Sequence, residues 1–96
     1  MLSKIPIKLD KVNKENTNRE VLRVAMIAEL DAINLYEQLA AMTEDVNLRK
    51  LLLDVAKEEK THFGEFQALL LRLDGEQVKE LEEGRKEVDE LIGKKS

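Results

Sequence analysis

The sequence predicts an all-α protein: an antiparallel two-helix hairpin with a short third helix behind it, which pairs with a second copy to complete a four-helix bundle. Three observations carry this reading. Apolar residues recur at spacings of three and four along two long stretches. Only Thr43, Glu44 and Asp45 part these stretches, which leaves room for little but a reversal of direction. At 96 residues, one hairpin has too little interior to cover both apolar stripes, and chains this small gain stability by associating or by holding a metal.

Residues 1–16 show no helical period. A short apolar patch (Ile5, Pro6, Ile7, Leu9) runs into Lys-Val-Asn-Lys-Glu-Asn, which reads as an extended arm. Thr17 and Glu20 have the spacing of a capping box, with Thr17 as the N-cap. From there Leu22, Ala25, Met26, Ile33, Tyr36 and Ala40 form the stripe of a helix reaching about Met42. Asp45 is suited to cap a second helix over about 46–73, whose stripe is Leu48, Leu52, Val55, Ala56, Phe63, Phe66 and Leu70. Together residues 17–74 make the hairpin. Asp74–Gly75 ends it, and Asp74 followed by Gln77 opens a charged third helix to about Ile92, within a C-terminal region of residues 75–96. Its apolar positions (Val78, Leu81, Val88, Leu91) are sparse, so it needs another surface to pack on.

Composition removes several function classes. A net charge of −4 and three aromatic residues give no basic stripe or stacking platform for nucleic acid. No apolar run is long enough to span a membrane, and Met1–Asp10 is too polar for a signal segment. With no cysteine there is no disulfide, thiolate metal site or thiol nucleophile, which suits a reducing compartment. The run from Glu76 to Glu87 reads as a solvated face with i, i+4 pairs, and the three methionines read as packing.

Three side chains on the stripes are not apolar. Glu29 lies three residues after Met26 and four before Ile33; Glu59 lies four after Val55 and four before Phe63; His62 follows Glu59 by three. A charge in an apolar seam costs several kcal/mol unless it is paired or metal-bound. Counted from Glu44, Glu29 and Glu59 each stand fifteen residues away, roughly 22 Å at the helical rise, so they are level. One carboxylate on one helix and a Glu-x-x-His on the next is half the ligand set of a ferritin-like di-iron bundle. A two-fold axis supplies the other half. Carboxylates with one imidazole per metal suit Fe, Mn or Zn. Tyr36, two turns beyond Glu29 on the same face, reads equally well as a core tyrosine or as a group bonded to a ligand. Glu37, Glu58 and Lys60 fall off the stripes and read as surface. Singly, Glu29, Glu59 or His62 would pass as structural; their convergence is what points to a metal.

Ala28–Gln38 (AELDAINLYEQ) and Glu58–His62 (EEKTH) resemble the encapsulated ferritins, the small cargo ferritins of encapsulin nanocompartments. The likeness is greatest to the archaeal form fused to the shell protein, and it covers about 17–92. The resemblance implies a ferroxidase that oxidises Fe(II) to Fe(III) with dioxygen. Its two irons would be shared between the chains of a dimer, with Glu29, Glu59 and His62 as ligands and Tyr36 beside the centre. It further implies dimers joined into a ring-shaped decamer, an encapsulin shell as partner, and a cytoplasmic location inside that shell, where the iron is stored. Two features depart from the family pattern. Ala28 stands where relatives carry a second acid of an outer metal-uptake site, although Asp31 keeps an acid nearby, and Leu35 replaces a tryptophan. The ending Ile-Gly-Lys-Lys-Ser, without an apolar targeting tail, leads to the expectation of a domain cut from a larger fusion. Two other readings stay open: a metal-cemented helical assembly module without catalysis, and a rubrerythrin-like di-metal peroxidase.

Overall fold

The computed structural model describes residues 16–95, which form three helices: α1 (Thr17–Met42), α2 (Val46–Leu73) and α3 (Gly75–Ile92). The arm expected over residues 1–16 lies, all but Asn16, outside the described residues. α1 and α2 pack side by side along their length, and α3 touches the hairpin mainly through α2.

Each junction has a local cause. At the start of α1 the capping box is displaced by one residue. The Asn16 carbonyl accepts the Glu20 N–H at 3.0 Å, so the ladder begins one step early and Thr17 is already helical. Asn16, with φ −101° and ψ −6°, makes no side-chain capping bond; its side-chain oxygen accepts from the Arg19 guanidinium. At the turn, the Asp45 carboxylate accepts the Leu48 N–H at 2.8 Å, which satisfies one orphan donor of α2. Arg49, from the first turn of α2, reaches back to donate to the Ala40 carbonyl at 3.2 Å, covering the C-terminal end of α1. Between α2 and α3 stands a single residue, Asp74, which ends one helix and caps the next by accepting the Gln77 N–H at 3.0 Å. Gly75 therefore opens α3 and has no part in stopping α2. α3 ends at Gly93, whose φ of 87° a side chain would resist.

The core is thin. Leu22, Ile33 and Ala40 of α1 face Ala56 and Leu70 of α2, and these are the buried apolar residues among those described. All lie on the two stripes read from the sequence. Leu48 departs from its stripe, remaining 45% exposed at the turn end of the hairpin, where no described element covers it. Large apolar side chains elsewhere are exposed, among them Val21, Leu51, Leu53, Leu69 and Leu91. The Cα radius of gyration is 16.7 Å, against ~13 Å for a compact domain of about 100 residues. A cavity of about 380 Å³ opens between the three helices, lined by Arg23, Ile27, Leu30, Phe63, Leu70 and Leu81 among others.

Candidate metal centre

Glu29 on α1 and Glu59 and His62 on α2 meet where the stripes face each other. One ligand atom from each lies within 4.8 Å of the others. His62 Nδ1 is 3.3 Å from Glu59 Oε1 and 3.8 Å from Glu29 Oε2. The two carboxylates are largely covered, with side chains 17% and 19% exposed, while the imidazole is 46% exposed. The three residues singled out as interruptions of the stripes are thus brought together by the fold.

Their electrostatics are unbalanced. Glu29 Oε2 is buried with no hydrogen-bond partner. The Glu59 carboxylate stands against it, acceptor to acceptor, so a proton bonded between the two is favoured and Glu29 is held above the ordinary carboxylate range. Burial pushes it the same way, as do the charges of Glu59 and Glu65, while His62 opposes them. A buried acceptor without a donor is costly, and a cation is the group that would satisfy both acids at once. The donor set, two carboxylates and an imidazole without sulfur, fits a hard or borderline divalent ion such as iron, manganese or zinc.

Tyr36 is half-buried on α1, and among the described residues its hydroxyl makes no side-chain hydrogen bond. Glu37 and Lys60 are exposed, yet they are joined across the hairpin at 3.0 Å, so the residue following Glu59 ties α2 to α1 beside the site. Nothing in the sequence pattern marks Glu65. It lies off the stripe three residues after His62, and only its field at Glu29 marks it.

The Rubrerythrin family model matches residues 20–92. Among solved structures, the encapsulated ferritin domain from Pyrococcus furiosus superposes with a TM-score of 0.85 at 58% identity, covering 100% of both chains. This chain belongs to the encapsulated ferritin family. Two curated relatives extend the picture. A ferritin-like–encapsulin shell fusion protein of Pyrococcus furiosus is 62% identical over 87 residues, which is 91% of this chain and 25% of the relative. An encapsulin nanocompartment cargo protein of Myxococcus xanthus is 40% identical over 57 residues, 59% of this chain and 44% of the relative. The chain thus spans between a quarter and under half of the curated relatives it matches. No described helix is long and apolar enough to cross a membrane.

Proposed function

We propose that this encapsulated ferritin is a ferroxidase whose di-iron site is completed across a homodimer. Glu29, Glu59 and His62 of each copy would hold Fe(II) as substrate. One observation carries the reading: a buried, donorless carboxylate oxygen converges with a second carboxylate and an imidazole on a hairpin whose apolar faces are bare. One chain offers three donors, too few for two metal ions, whereas a symmetric pair offers six. Pairing would also cover the apolar surface that one hairpin leaves open.

In the proposed reaction each Fe(II) gives up one electron and becomes Fe(III). Dioxygen accepts two electrons, one from each iron, and two protons to form hydrogen peroxide; reduction on to water takes two further Fe(II) and two further protons. A cation between the two acids would offset the crowding by Glu59 and the burial that hold Glu29 above the ordinary carboxylate range. The apolar residues on either side limit access of water, and His62, on the more open edge, leaves a route for Fe(II) to approach. Tyr36 stands along the same face and would orient a ligand through its hydroxyl once the partner helices are in place. The encapsulin shell as partner belongs to this proposal by analogy with the relatives' names; the ring-shaped decamer and a place inside that compartment in the cytoplasm belong to it through the family resemblance. The shell would enclose the ferric product, for which an open ring has no cavity.

The test loads the protein with Fe(II) without oxygen, admits air and follows ferric absorbance. Glu59→Ala and His62→Ala variants should slow the reaction strongly, and equal rates in all three proteins would refute it. The match to the Rubrerythrin family model supports a second reading, a di-metal peroxidase. Faster oxidation of the Fe(II)-loaded protein by hydrogen peroxide than by dioxygen would favour that alternative.

A further inference from the structure

Among the described residues, the hydrogen bonds that tie α3 to the rest of the chain lie at its start. Asp74 is the sole residue between α2 and α3, and its φ of −137° and ψ of 87° break the helical path. Its two carboxylate oxygens have different duties. Oδ1 accepts the Gln77 N–H at 3.0 Å, fixing the start of α3, and Oδ2 accepts from the Arg23 guanidinium at 2.9 Å. Arg23 lies on α1, 51 residues away in sequence. Asp74 is only 9% exposed, so this carboxylate is desolvated and anchored at both oxygens. Beyond Gln77, among the described residues, the side-chain hydrogen bonds of α3 stay within it: Arg85 bonds Glu82 and Asp89. Val78, Leu81, Val88 and Ile92 remain 43–76% exposed.

A helix of 18 residues is roughly 27 Å long, so a small rotation at Asp74 moves its far end by many ångströms. We propose that the Arg23–Asp74 pair is the angular lock of α3: it fixes the direction in which α3 leaves the hairpin and so aims its apolar stripe. Arg23 and Asp74 are positioning residues, remote from Glu29, Glu59 and His62, and the lock stands whether or not the protein oxidises iron. What the stripe then meets, on the reading that copies associate, is a second copy of this chain.

The chain has no cysteine, so Ala41→Cys and Glu87→Cys place one spin label near the turn and one on α3. Labelled chain is diluted into unlabelled chain, so that distances within one copy are read by pulsed electron resonance. Asp74→Asn is the decisive variant. Asparagine remains a good N-cap, but its single side-chain oxygen cannot serve both Gln77 and Arg23. Arg23→Gln removes the lock from the other side. Both variants should widen the distance distribution to a similar extent, and the double variant should widen it no further, with helicity by circular dichroism unchanged. Native mass spectrometry should show the share of the larger assemblies falling in both. A distribution as narrow as that of the unaltered protein in Asp74→Asn and Arg23→Gln would overturn the proposal and assign the angle to packing of Leu81. Loss of helicity in Asp74→Asn together with a normal distribution in Arg23→Gln would overturn it equally.

Discussion

Replacing Glu29 by glutamine should stabilise the metal-free protein and destabilise the metal-loaded one. Glu29 Oε2 is buried without a donor, and a buried unsatisfied polar group costs ~1–3 kcal/mol. The side chain as a whole keeps 17% of its exposure, so the lowest quarter of that range applies, about 1–1.5 kcal/mol. Each kcal/mol moves the Tm of a domain this size by ~4–8 °C, so Glu29→Gln should melt about 4–12 °C higher in chelator at pH 7. The amide can donate to Glu59, where the carboxylate could only face it. The sign of the pH dependence follows from the raised pKa of Glu29. Its neutral form contributes stability below the ordinary glutamate value of 4.5, and this is lost as pH rises through the higher folded value. Glutamine keeps the neutral form at every pH, so the gap should close in acid and open toward neutrality. With Mn(II) or Zn(II) at 100 times its Kd, the unaltered protein gains about 2.7 kcal/mol that the variant largely lacks, and the order of melting reverses. Scanning calorimetry with and without metal measures both. A variant that melts below the unaltered protein in chelator at pH 7 would show that Glu29 is satisfied without a cation.

Three further outcomes are expected. Asp45→Ala removes the side-chain bond to Leu48 and should cost ~1 kcal/mol, read as a lower Tm by circular dichroism. Ala56, 2% exposed between the helices, leaves no room for a larger side chain; Ala56→Leu should cost ~1–3 kcal/mol and push Glu59 off its mark, seen as weaker Mn(II) binding by calorimetric titration. Asp74 behaves oppositely to Glu29. The Gln77 N–H and then Arg23 hold its carboxyl below the ordinary range, so its contribution is present above the usual aspartate value of 3.8 and lost as pH falls through the folded one. Acid titration of the α3 distance measurement should therefore release α3 in the unaltered protein and change Asp74→Asn little.

The helices were legible because α1 and α2 each carry a repeated apolar stripe, and because Asp45 and Asp74 stand at the N-caps the structure uses. The candidate site was legible for the converse reason: Glu29, Glu59 and His62 interrupt stripes that are otherwise apolar. The start of α1 was misplaced by one residue, since Asn16 and Thr17 are both good caps and the choice rests on which carbonyl Glu20 reaches. Arg23 bonding to Asp74, and Lys60 bonding to Glu37, join residues far apart in sequence, and nothing in a single sequence selects one arginine or lysine for one acid. Glu65 acts only through its field, which has no period to betray it. The direction of α3 depends on the dihedral angles of one residue, and no composition rule sets these.

The sparse interior has a consequence for how such a chain survives in a cell. With Leu22, Ile33, Ala40, Ala56 and Leu70 the only well-covered apolar side chains among the described residues, a solitary hairpin has little reserve against unfolding. If copies pair and hold metal as proposed, its durability would be a matter of mass action, rising with the abundance of its own kind and of divalent ions and falling on dilution. Synthesis in bursts, or tethering many copies in a confined space, would protect it better than any single substitution.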